Sequence, residues 1–79
     1  MGNEQKKLLL QIAELITKDF DLEMKDHWTC DDHSLSIRYE QKKRELQKQY
    51  ETEYGELPRW NSIDDVWNTV KQLRKELNE

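Results

Sequence analysis

Residues 20–39 alternate apolar and polar side chains with a period of two, broken once by a short polar stretch. Phe20, Leu22, Met24, Trp28 and Cys30 share one parity, Asp31-Asp32-His33-Ser34 interrupts, and Leu35, Ile37 and Tyr39 resume the alternation. A period of two is the mark of a strand with one buried face. Two such strands joined by a four-residue turn would set Cys30 opposite Leu35, Trp28 opposite Ile37 and Asp26 opposite Tyr39. The other face would pair Thr29 with Ser36 and His27 with Arg38. One face is then mostly apolar and the other wholly polar, so both strands agree on the same register. Asp and Ser also form turns, because their side chains hydrogen-bond to nearby backbone. Asp26 is the misfit, placed beyond the paired region or at a bulge. This reading predicts a small α+β fold: helix, β-hairpin, helix, helix, with residues 1–79 as a single small domain. A second reading stands beside it. Leu35, Tyr39, Leu46 and Tyr50 also share a helical spacing, which would start the second helix near Ser34 and give an all-α three-helix bundle.

Elsewhere the periodicity is helical. A first helix is predicted over residues 3–18, with Asn3 as N-cap and Leu8, Leu9, Ile12, Leu15 and Ile16 on one face. Leu10 points away from that face and hints at an interface. A second helix covers residues 40–54, with Leu46, Tyr50 and Tyr54 as its stripe, and stops at Gly55. Pro58 stiffens the connector. The third helix carries the clearest start signal, Ser62 with Asp65 three residues on, in the manner of a capping box. Asp64 and Asp65 sit at its positive end, and Lys71, Arg74 and Lys75 toward its negative end. Its apolar stripe is Ile63, Val66, Trp67, Val70, Leu73 and Leu77.

Composition limits what such a chain can do. Only 34% of its 79 residues are apolar and 38% are charged, against roughly 45–50% and 25% in typical globular chains. Three Trp, three Tyr and one Phe nevertheless supply large surfaces for burial. A core this lean favours extra burial against a partner or a second copy. The net charge of −4 argues against generic nucleic-acid binding and against docking on anionic membranes by charge alone. The one cysteine rules out an internal disulfide and suits a reducing compartment. The longest apolar run is Leu8-Leu9-Leu10. No early apolar core is long enough for a signal peptide, and Lys6 stands where a myristoylation signal wants Ser or Thr. The expected setting is cytoplasmic, with no membrane.

The residues able to do chemistry are few. His27-x-x-Cys30-x-x-His33, with Asp31 and Asp32 between, is written in metal-ligand residue types, yet the spacing fits no standard zinc site. In a hairpin, His27 and Cys30 would also point to opposite faces, so no metal and no cofactor are predicted. A Cys–His nucleophilic pair would lack a third group to orient the base. The adjacent carboxylates Asp31-Asp32 and Asp64-Asp65 read as turn and cap residues, and no glycine-rich phosphate loop exists. The chain therefore does not read as an enzyme.

The expected function is a non-catalytic protein-interaction module, acting as a homodimer or as an acidic inhibitor or adaptor of a larger protein. Its contact residues would be Tyr50, Tyr54, Arg59 and Trp60, since Tyr, Trp and Arg dominate binding hot spots. The alternative is nucleic-acid binding through the basic run Arg38, Lys42, Lys43, Arg44 and Lys48.

Overall fold

Leu8, Leu9 and Leu10 are all buried. Successive residues of an α-helix are about 100° apart, so three in a row span about 200° of its surface. One neighbour cannot cover that arc, so the helix that carries them needs packing partners on two sides. The computed structural model, which describes residues 2–78, supplies them. It consists of three helices: α1 (Asn3–Glu23), α2 (Cys30–Tyr54) and α3 (Ile63–Glu76). Both α2 and α3 pack against α1, while no Cα of α2 comes within 8 Å of one in α3. Ile12 and Val70 are completely enclosed, and Leu46, Tyr50, Val66 and Leu73 complete the core with Leu57, Trp60 and Leu77 at its edge.

The path is up, down, up. Gln5 Nε2 at the start of α1 donates to Tyr50 Oη near the end of α2 (2.9 Å), so these two helices run antiparallel. Thr69 and Leu73 of α3 lie beside Lys6 and Leu9, and Arg74 pairs with Glu14 at 3.6 Å, so α3 runs parallel to α1. Gly55 ends α2 with φ of 95°, a conformation that side-chain-bearing residues rarely adopt, and its N–H bonds Glu51 O at 3.2 Å. In the connector that follows, Trp60 lies against the core and its indole N–H donates to Thr69 Oγ1 at 2.9 Å.

The structure corrects the α+β expectation: among the described residues there is no strand, and the all-α alternative is the fold adopted. Residues 20–23 belong to α1 and residues 30–39 to α2, so the proposed pairs of Cys30 with Leu35, Trp28 with Ile37 and Asp26 with Tyr39 do not form. The set Trp28, Cys30, Leu35 and Ile37 is not buried together; Cys30 and Ile37 are exposed, and Trp28 and Leu35 half-buried. The physical cause is local. Thr29 Oγ1 accepts from Asp32 N at 3.2 Å while Asp32 Oδ2 accepts from Thr29 N at 3.0 Å. That reciprocal capping box starts a helix where the turn was expected. Leu35 and Tyr39, four apart, then face α1, and Ile37 between them points away. At the other end of the chain, the N-cap of α1 is Gly2 rather than Asn3, with no side-chain cap. Ser62 does cap α3, accepting from Asp65 N at 3.3 Å.

Candidate protein-interaction surface

The three helices differ in length. At about 1.5 Å per residue, α3 spans about 21 Å, against about 31 Å for α1 and about 37 Å for α2. The molecule is 40 Å long, and α3 covers only part of that length. The consequence is visible along one row of α1. Leu9, Ala13, Thr17, Phe20 and Met24 are spaced by four, four, three and four, so they follow a single side of the helix. Their exposure runs 3%, 0%, 4%, 37% and 68%. Leu9 belongs to the same core cluster as Leu73 and borders a cleft with Thr69 of α3. Beyond Glu14, the level of Arg74, α3 has less than one turn left, and the apolar row continues without it.

The end that α3 leaves uncovered is held in place by specific bonds. Trp28 donates its indole N–H to Leu22 O at 2.9 Å, satisfying a carbonyl in the last turn of α1. The edge of one ring meets the face of the other between Trp28 and His33, whose ring centres are 5.0 Å apart. Lys25 Nζ donates to both carboxylate oxygens of Asp32 at 3.0 and 3.1 Å. The Thr29 backbone N–H and then Lys25 hold the Asp32 carboxyl below the usual carboxylate range. Residues 24–29 are thus tied to both helices.

Charge is concentrated at the same end. Residues 18–33 hold Lys18 and Lys25 against Asp19, Asp21, Glu23, Asp26, Asp31 and Asp32. Their formal charge of −4 equals that of the whole chain, so the remaining residues balance to zero. Asp31 and Asp32 lie at the favourable end of the α2 dipole. Asp19, Asp21 and Glu23 lie toward the carboxyl end of α1, whose last turn has no basic residue. Carboxylates there oppose the dipole, typically at a few tenths of a kcal/mol each. Asp21 and Glu23 are exposed, and helical geometry sets one on each side of the Phe20–Met24 line.

The residues expected to form a contact patch do not assemble into one. Tyr50 is buried and belongs to the core. Tyr54 is exposed at its rim, 5.4 Å from the Tyr50 ring centre. Partial burial, then the nearby Glu53 and Glu4 carboxylates, push the Tyr54 phenol up. Trp60 closes the loop over the core through its bond to Thr69, and Arg59 is exposed, 3.8 Å from Glu56. The basic residues of the alternative reading point in several directions around α2. By helical phase, Arg38 and Lys42 lie on one side, Lys43 on another, and Arg44 and Lys48 on the far side from α1. Glu40 binds both Lys43 (3.2 Å) and Arg44 (3.1 Å), which, Lys43 first, lowers the Glu40 carboxyl below its ordinary range. Among the described residues no group of three or more His, Cys, Asp or Glu side chains is placed to hold a metal ion, and Cys30 is exposed at the start of α2. No helix among those residues is long and apolar enough to cross a membrane.

A hairpin over residues 20–39 would bury Phe20 and Met24 on its apolar face, whereas the structure exposes both. Their row is visible in the sequence, but that it runs past the end of α3 is visible only in the structure. No family model, curated protein or solved structure matches the chain.

Proposed function

We propose that the protein is a non-catalytic protein-interaction module whose docking surface is the end of the α1–α2 pair that α3 leaves uncovered. The observation that carries this reading is the rise in exposure along one apolar row, from an enclosed Ala13 to a Met24 that is 68% exposed. Met and Phe make adaptable, high-area contacts, and an acidic rim supplies selectivity and steering. The bonds made by Trp28, Thr29 and Lys25 support the reading further, since an ordered surface loses less entropy when it binds.

Of the two forms expected for such a module, charge favours the acidic adaptor or inhibitor over the homodimer. Two copies meeting through this row would bring two ends of like charge together, each −4 by sequence. The nucleic-acid alternative has less support, because its cations are spread around α2 and two of the five are already paired with Glu40. A reducing, cytoplasmic setting, consistent with one exposed cysteine, is part of the proposal.

The test is a differential affinity purification from the native cell extract. Bait proteins would be the wild type, Phe20→Ser with Met24→Ser, and Tyr54→Ser. The proposal expects a protein retained by the wild type and by Tyr54→Ser but lost from the double variant. Partners lost with Tyr54→Ser and kept by the double variant would place the docking surface elsewhere and overturn it.

A further inference from the structure

The row on α1 also indicates what it receives. Where α3 is present, it lies parallel to α1 and places Val66, Val70, Leu73 and Leu77 against the core, at spacings of four, three and four. Past the end of α3 the same side of α1 goes on through Phe20 and Met24 in the same four-residue step. The surface that remains is therefore shaped for more helix of the same kind.

The polar surroundings specify the charge of that helix. Asp21 and Glu23 flank the Phe20–Met24 line, Asp26 follows in the connector, and the carbonyl end of α1 adds to their field without a basic residue in its last turn. The local cations do not offset this. Lys25 is engaged by Asp32, and Lys18 is a single charge. A neutral or acidic helix would meet a one-signed field, and a second copy of this chain would bring the same field with it. A cationic helix would relieve the repulsion among the carboxylates and their opposition to the dipole.

Building on the docking surface proposed above, we infer that its occupant is a basic amphipathic helix of a partner protein. It lies along α1 beyond α3, with apolar side chains on Phe20 and Met24 and Lys or Arg beside Asp21, Glu23 and Asp26. Recognition of this type uses anchors at one-turn spacing for affinity and the charged flanks for rate and selectivity.

The experiment titrates the full chain, isotopically labelled, with two synthetic helices of about four turns. Both carry the same leucine stripe; one has Lys on its polar face and the other Glu. The expected result is that the Lys helix shifts the resonances of residues 17–28 and binds at least about tenfold more tightly than the Glu helix. Its affinity should drop about tenfold in Asp21→Lys with Glu23→Lys, and by as much in Phe20→Ser with Met24→Ser. Asp21 and Glu23 are exposed, so the charge variant should keep the wild-type melting temperature. Phe20 is 37% exposed, so the apolar variant should melt a few degrees lower and stay helical by circular dichroism at the titration temperature. Equal or tighter binding of the Glu helix at residues 17–28 would overturn the inferred occupant and leave the docking surface standing. So would self-association that the Phe20→Ser, Met24→Ser pair abolishes. Shifts confined to other residues, or none with either helix, would overturn both.

Discussion

The architecture turns on α1 being packed from two sides, and Leu10→Ala tests that directly. Leu10 is 4% exposed, although it points away from the face set by Leu8, Leu9 and Ile12. The substitution removes three carbons. At about 0.8 kcal/mol per buried methylene, the transfer term is about 2.5 kcal/mol. The cavity left between α1 and its neighbours raises the total to about 3 kcal/mol. The slightly better helix propensity of Ala returns only about 0.2 kcal/mol. For a domain of this size that loss corresponds to a fall in melting temperature of roughly 10–25 °C. Urea unfolding followed by circular dichroism, with the slope checked for constancy, measures it. Met24→Ala is the control, since its side chain is 68% exposed and should move stability by less than about 0.5 kcal/mol. If Leu10→Ala costs less than about 1 kcal/mol while Leu8→Ala, beside Leu46 and Tyr54 of α2, costs the full amount, α1 has one packed side and the arrangement of α3 is wrong.

Three further outcomes follow from individual contacts. Thr29→Ala removes one half of the capping box at the start of α2 and should cost about 1 kcal/mol in urea unfolding. Asp32 has its pKa lowered in the folded state, so the stability it contributes is fully present above its unfolded value and is lost as pH falls through its folded one. The stability difference between wild type and Asp32→Asn should therefore stay constant above about pH 4 and shrink below it, as measured by thermal melts across pH. Trp60→Phe deletes the bond to Thr69 Oγ1 while that hydroxyl keeps its own bond to Asp65 O, so the cost should be about 1 kcal/mol, read from the urea midpoint.

The third helix was legible in the sequence because every local signal agreed: Ser62 and Asp65 at its start, a single apolar stripe, and dipole-matched charges. Residues 20–39 imitate a pair of strands for a physical reason. In a helix, positions i and i+2 lie about 200° apart, on opposite sides. The apolar row on the α3 side of α1 continues to Phe20 beyond the end of α3, while Leu22 on the other side is buried, so Phe20 and Leu22 reproduce the period of two that a strand would show. In α2 the same spacing arises differently, from Leu35 and Tyr39 facing inward with an exposed Ile37 between them. The discriminating signal was present in Thr29-Cys30-Asp31-Asp32, the same hydroxyl-to-carboxylate spacing that identified the start at Ser62. Leu10 was only half legible. Its departure from the main face was visible, but nothing local shows that a third helix lies on that side. The surface at Phe20 and Met24 was hidden for the same reason, since it depends on where α3 stops relative to α1.

The apolar row of α1 passes from covered to open where α3 ends. The most direct measurement is the line broadening of side-chain resonances by a soluble paramagnetic agent, recorded at two protein concentrations. The effect should be near zero at Ala13 and Thr17, intermediate at Phe20 and strongest at Met24, with no dependence on concentration. Protection of Phe20 and Met24 equal to that of Ala13 would contradict it, because the row would then already be covered by the chain itself or by a second copy.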